Sequence, residues 1–221
     1  MKHYNMHTTI IILFSAVLLG CQTPGNSSST TEKSESTLNQ DYSKLDTATF
    51  AGGCFWCVEA SFDQIKGVEE AVSGYSGGSK VTADYKMVSS GQTDHAEAVQ
   101  IYYDPEVIDY ETLLEIFFTA HDPTQLNRQG PDRGRQYRTA IFYHNAQQKR
   151  LAEAKIKKLQ PNYSNPIVTE LNSYEAFYDA EDYHQDYEEK HPYDSYIMNV
   201  SKPKIDRVKE KFADRLKEGY K

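Results

Sequence analysis

The 221-residue sequence is poor in features that would place it in several familiar classes. It holds three cysteines, Cys21, Cys54 and Cys57, too few for a secreted scaffold stapled by disulfides. It has no excess of positive charge. Its 24 Lys and Arg face 32 Asp and Glu, a net charge of −8, which argues against a nucleic-acid partner and against a polybasic membrane patch. No internal repeat is visible. The apolar run Ile10 to Leu19 covers about half of the roughly twenty residues that a helix needs to cross ~30 Å of hydrocarbon. Tryptophan occurs once, as Trp56, and it lies between the two neighbouring cysteines.

The N-terminal segment "MKHYNMHTTIIILFSAVLLGC" has a weakly basic start and a short apolar core, the layout of a signal peptide. Its end, "LLGC", resembles the bacterial lipobox, in which cleavage before the cysteine leaves a lipidated N-terminal residue, here Cys21. Residues 1–20 are expected to be a lipoprotein signal peptide, with an ordinary signal peptide that happens to precede a Cys as the blander alternative. Residues 21–44 are rich in Ser and Thr and nearly free of large apolar side chains, so they read as a flexible tether. The expected location is the bacterial cell envelope, with a lipid anchor to a membrane outside the cytoplasm. Residues 45–200 suit one domain with a real core, and residues 201–221 an amphipathic helix.

Strands are expected at "KLDTATFAGG", "VEEAVSGYSGG", "HAEAVQIYYD", "QYRTAIFYH" and, last, "PIVTEL". Between them, a helix follows the cysteines through Val58, Phe62 and Ile65. A second covers "DYETLLEIFFTAHDP" with Asp109 as its cap, and a third covers "AQQKRLAEAKIKKLQ". The interleaving suggests an α/β or α+β sandwich. In the tail, Ile205, Val208, Phe212 and Leu216 share one helical face, suited to docking on the domain or, alternatively, to a partner. "GYSGG" formally matches a nucleophile elbow, but "SKVTADYKMVSSG" after it has no helical period, so Ser76 reads as a loop serine.

The chemistry concentrates at "AGGCFWCVEA". Cys54 sits where a strand passes through a Gly turn into a helix N-terminus, a position that lowers a thiol's pKa through the helix dipole and free backbone N–H groups. Cys57 lies one turn on, within the Cα separation that a disulfide requires. Three readings stay open for the pair. A zinc site would need further ligands, and "HAE" at His95 to Glu97 supplies an H-x-E, but in the reverse order to that of zinc deaminases. A thioredoxin-like thiol–disulfide oxidoreductase uses C-x-x-C at a strand–helix junction. The third is an enzyme whose substrate rests on the aromatic platform of Phe55 and Trp56. Glu97 bears on this last reading. Strand alternation places it with Val99, Ile101 and Tyr103 on the more apolar face, where desolvation raises a carboxyl pKa toward that of a general acid, unless the group is simply ion-paired. A poised thiol, a proton-donating carboxyl and an aromatic floor suit reduction of a polar oxide on an apolar group.

Five ordered blocks, "GGCFWCVEASF", "GYSGG", "SSGQTDHAEAVQIYYDP", "FFTAHDPTQLNRQGPDRGRQYRTAIFYH" and "YHQDYEEKHPY", resemble the type A peptide-methionine (S)-S-oxide reductases over roughly Thr47 to Tyr193. The resemblance implies an α+β fold with a two-layer, ferredoxin-like core. It implies that methionine sulfoxide in peptides or proteins is the substrate and that a thioredoxin-type dithiol is the reductant. It puts the nucleophile on Cys54, the acid on Glu97, the methyl-binding aromatics on Phe55 and Trp56, and the oxygen- or substrate-contacting groups on Tyr85, Asp132 and Tyr137. No cofactor, resident metal or nucleic acid is expected, and the chain is expected to act as a monomer. Three departures stand out. The tail from Ser201 to Lys221 lacks the resolving cysteines that many members carry, and Cys57 replaces the Gly usual after "CFW", which moves the second thiol beside the first. A Pro often seen before the Tyr85 position is also missing.

Overall fold

The computed structural model describes residues 44–220. The expected signal peptide, the lipidation site Cys21 and the tether up to residue 43 lie outside these residues. Six strands form one sheet: β1 (Asp46–Gly52), β2 (Val68–Ser76), β3 (Ala96–Tyr103), β6 (Thr139–Tyr143), β7 (Glu170–Ser173) and β8 (Phe177–Asp179). A separate two-stranded ribbon joins β4 (Arg128–Gln129) to β5 (Asp132–Arg133). The sheet order is β7-β6-β1-β3-β2-β8, antiparallel throughout except for the parallel pair β6–β7. That pair needs a crossover, and α4 (Ala146–Leu159) supplies it.

The helices α1 (Phe55–Asp63), α3 (Tyr110–Ala120), α4 and α6 (Lys202–Lys211) bury their apolar faces in one core with the facing side chains of the sheet, the two-layer α+β arrangement. The alternation anticipated along β3 places Val99, Ile101 and Tyr103 in this core. Ala96 and Ala98 point to the other face, which is packed by Ala51, Ala140 and Phe142 under Tyr174 and Phe177. At the centre, Phe50 of β1 stacks on Phe117 with ring centroids 4.8 Å apart and on Phe62 at 5.7 Å. Truncating Phe50 to Ala would cost about 3–5 kcal/mol. Asp109 caps α3 as its sequence suggests, accepting from Thr112 N–H at 2.7 Å.

Several boundaries differ from the sequence reading. The last expected strand, "PIVTEL", pairs only from Glu170 onward, because Ile167 N–H donates to Gln160 Oε1 and Val168 N–H to Pro123 O, both at 2.9 Å, away from the sheet. Three residues at 177–179 add an edge strand with no period of their own. The segment after "GYSGG" does hold a helix, α2 (Tyr85–Ser89), one turn capped by Asp84 at Met87 N–H and too short to show periodicity. Ser76 is the buried last residue of β2, and its hydroxyl donates to Ala176 O at 2.8 Å rather than lying in a loop. The first helix stops at Asp63, and Ile65 instead bridges to Leu216. The tail face of Ile205, Val208, Phe212 and Leu216 is buried, and α6 packs against α1 and α3.

Candidate active site

The site is built where β1 hands over to α1. Gly53 has φ +95°, and a Cβ there would collide with the Gln129 side chain, so the turn requires glycine on both counts. Cys54 follows as the N-cap of α1, and its carbonyl accepts from Cys57 N–H at 3.2 Å in the first turn. The first N–H groups of a helix lack partners within it. Here the Phe55 N–H donates to Glu97 Oε2 at 3.2 Å, which brings the acid of β3 onto the helix end that carries Cys54.

Glu97 is 2% exposed. Burial raises its pKa to about 8; the Phe55 N–H opposes this, while the charges of Asp132 and Cys57 reinforce it. The carboxyl is therefore mostly protonated at neutral pH. One oxygen accepts from the helix and the group still has a proton to give. The bland alternative, a carboxylate held in an ion pair, is absent among the described residues.

Cys54 and Cys57 are both free, both buried, and hydrogen-bonded to each other. Their charge is distributed otherwise than the helix end alone suggests. Burial pushes the Cys54 thiol well up, with Cys57 and Glu97 adding to the effect and the nearby Tyr196 hydroxyl opposing it. Cys57 is drawn down to about 6, first by the Cys54 thiol and then, against burial, by the Lys204 ammonium and the Ser201 hydroxyl. These directions favour the proton on Cys54 and the negative charge on Cys57, beside the Lys204 ammonium.

The aromatic residues divide into two roles. Phe55 is buried, with its ring centroid 5.0 Å from that of His184 and 5.9 Å from that of Tyr75. Trp56 is half-buried, stacks on Tyr187 at 3.7 Å, and donates its indole N–H to His184 Nδ1 at 3.1 Å. Tyr85, on α2, is held through its backbone N–H to Glu181 Oε1 at 2.9 Å, and its ring meets His184 at 4.3 Å. Burial and the nearby charges of Glu97 and Cys54 raise the pKa of Tyr85 and also that of Tyr137, so both keep their hydroxyl protons. Asp132, on β5, accepts from the Tyr196 hydroxyl at 2.5 Å. The structure thus brings Cys54, Cys57, Glu97, Phe55, Trp56, Tyr85, Asp132 and Tyr137 to one place.

Four residues in the site escape sequence reasoning. Tyr196 faces Cys54 and Asp132 and meets Trp56 edge-on at 6.0 Å. His184 sits under three aromatic rings of the site. Ser201 Oγ lies 3.0 Å from Cys57 Sγ, and Lys204 Nζ 3.7 Å from the same sulfur. Only His184 stood in a block singled out in the sequence; the other three lie near or in a tail that offered an apolar face and nothing else.

The sequence pattern of the family described as "Peptide methionine sulfoxide reductase" matches residues 46–216. The chain belongs to that family. By this membership it is an oxidoreductase acting on methionine sulfoxide. It is 54% identical over 171 residues to the peptide methionine sulfoxide reductase MsrA of Haloquadratum walsbyi, covering 77% of this chain and 98% of that one. It is also 54% identical over 167 residues to the MsrA of Pasteurella multocida, covering 76% and 96%. Among solved structures, reduced Mxr1 from Saccharomyces cerevisiae superposes with a TM-score of 0.64 at 39% identity, covering 72% of this chain and 92% of that one. Methionine sulfoxide reductase A of Corynebacterium diphtheriae gives 0.60 at 33% identity, covering 67% and 76%. The chain carries a second thiol at Cys57 and no cysteine from Ser201 to Lys221.

Proposed function

We propose that this reductase takes the S epimer of methionine sulfoxide, free or in proteins, and reduces it through a Cys54 sulfenic acid and a Cys54–Cys57 disulfide. The observation that carries the reading is the shared helix end: Cys54 caps α1, and Glu97, protonated at neutral pH, bonds to the next amide. The substrate methyl group rests against Trp56, with Phe55 behind it. Cys54 attacks the sulfoxide sulfur while Glu97 gives its proton to the oxygen, and the Tyr85 and Tyr137 hydroxyls hydrogen-bond that oxygen. Loss of methionine transfers the hydroxyl to Cys54. Cys57 then displaces it as water and forms the disulfide, which a thioredoxin-type dithiol reduces.

Release of methionine from the S epimer and none from the R epimer tests this assignment. Disulfide exchange on a scrambled protein without sulfoxide turnover would replace it with a general thiol–disulfide oxidoreductase. The N-terminal "LLGC" supports lipidation at Cys21 and residence in the bacterial cell envelope, where the enzyme would repair oxidised proteins from a membrane anchor. Its single-domain design supports action as a monomer.

A further inference from the structure

Cys57 is touched from the opposite side by the C-terminal helix. A π-helical turn, Ile197–Ser201, runs directly into α6. Such wide turns insert a residue and rotate the face that follows. Here the turn ends on Ser201, which is fully buried with its Oγ 3.0 Å from Cys57 Sγ. One turn further along, Lys204 reaches the same sulfur with Nζ at 3.7 Å. Lys204 makes no ion pair with a carboxylate among the described residues.

We propose that Lys204 and Ser201 are positioning residues that hold Cys57 as a thiolate, so that Cys57 accepts the proton of Cys54 as Cys54 attacks the sulfoxide and afterwards resolves the sulfenic acid. The inference rests on the Cys54–Cys57 relay and adds to it a role in the first chemical step. The remaining ionisable groups facing Cys57 are Cys54 on α1, Glu97 on β3, Asp132 on β5 and Tyr196 ahead of the π turn. Asp132 opposes the thiolate and Glu97 is mostly protonated, while the Lys204 ammonium favours it. The drawn-down pKa of Cys57, about 6, agrees with the geometry.

The protons balance over the cycle. At rest Cys54 carries one, Glu97 carries one and Cys57 carries none. In the first step the Cys54–sulfur bond to substrate forms, the Cys54 proton passes to Cys57, and the Glu97 proton passes to the oxygen. Methionine leaves and the hydroxyl stays on Cys54. In the second step the S–S bond forms, the S–O bond breaks, and water departs with the Cys57 proton. The two hydrogens of the reducing dithiol return one to Cys54 and one to Glu97, and Cys57 comes back as the thiolate.

Two measurements on the full domain test this. In a Cys54→Ala background, the ultraviolet thiolate absorbance of Cys57 is titrated with Lys204 intact, with Lys204→Met and with Ser201→Ala. Removing the Cys54 thiol, the largest of the influences that lower Cys57, raises all three curves together, so the comparison is among variants. Each tail substitution should move the titration up by about one pH unit, the usual scale for losing one close charge or hydrogen bond, and Lys204→Arg should restore it. In the otherwise intact enzyme, the acidic limb of single-turnover methionine release should move up by a similar amount in Lys204→Met and return in Lys204→Arg. An unmoved titration and an unmoved limb, in variants that keep the parent's thermal midpoint, would overturn the proposal. Failure of the relay itself reads differently, because Cys57→Ser would then release its first methionine slowly, for want of the base, yet keep cycling with thioredoxin instead of stalling.

Discussion

The backbone N–H of Phe55 donates to the Glu97 carboxyl, so the group that closes the N-terminus of α1 is also the acid beside the nucleophile. Replacing Glu97 with Gln keeps an acceptor for that N–H and removes the proton. Sulfoxide reduction should slow at least about tenfold near neutral pH, general acids being worth roughly a hundredfold or more. With the parent, the single-turnover rate should fall as pH rises through about 8, where Glu97 ionises. Glu97→Gln should lose that limb, and an unchanged rate and profile would sink the assignment.

With thioredoxin as donor, Cys57→Ser should release about one methionine per enzyme and stall. Mass spectrometry after dimedone treatment should then find the Cys54 sulfenic acid. Cys54→Ser should release none. Steady cycling of Cys57→Ser at the parent rate would mean that an external thiol attacks Cys54 directly.

The lipid anchor has its own test. Cys21→Ala should abolish labelling by a fatty-acid analogue and leave the purified enzyme fully active, since every residue of the site lies beyond residue 50. Retention of that variant in the membrane fraction would contradict the lipobox reading.

Glu59 is buried on α1 with no hydrogen-bond partner for either carboxyl oxygen, and burial together with the nearby carboxylates of Asp63 and Asp186 raises its pKa to about 8. A carboxyl group raised on folding contributes stability that is fully present below its unfolded pKa of about 4.3 and is lost as pH rises through the folded value. Asp63, raised to about 7 mainly by burial, has the same sign. The thermal midpoint should therefore decline from about pH 5 to about pH 8. Glu59→Gln should flatten this slope and melt higher than the parent at pH 9. An equal slope in both proteins would show that Glu59 is not the titrating group.

Because Trp56 is the sole tryptophan and its indole N–H is tied to His184, tryptophan emission reports on this one site. His184→Ala should shift the emission to longer wavelength and raise KM more than it lowers kcat, because it loosens the aromatic wall and leaves the thiols in place. A parent-like spectrum and KM would remove His184 from the binding site.

The parts of this molecule that could be read in the sequence are those in which side-chain period and function share one segment. β1, the Gly turn and Cys54 lie in one stretch of nine residues, and Glu97 could be assigned a face because β3 alternates along its length. The order of the strands could not be read, since it is set by pairings between distant segments such as Phe50 with Ile141. The same is true of Tyr196, Ser201 and Lys204, whose partners in the site lie 64, 144 and 147 positions away in the chain. β8 and α2 are too short for a period to accumulate. The charge on the thiols could not be read either, because a helix end is visible in sequence, whereas burial of Cys54 and a lysine 147 positions beyond Cys57 are not.

β1 is flanked on both sides by strands that come later in the chain, β3 from Ala96 and β6 from Thr139. During synthesis this strand leaves the ribosome first, yet it has no neighbour until some fifty further residues have followed and only one until β6 is made. The helix that contacts Cys57 comes later still, at Lys202. The two thiols of the nascent chain therefore stay open to oxidants until almost the whole polypeptide has been made, and the enzyme acquires its chemistry last.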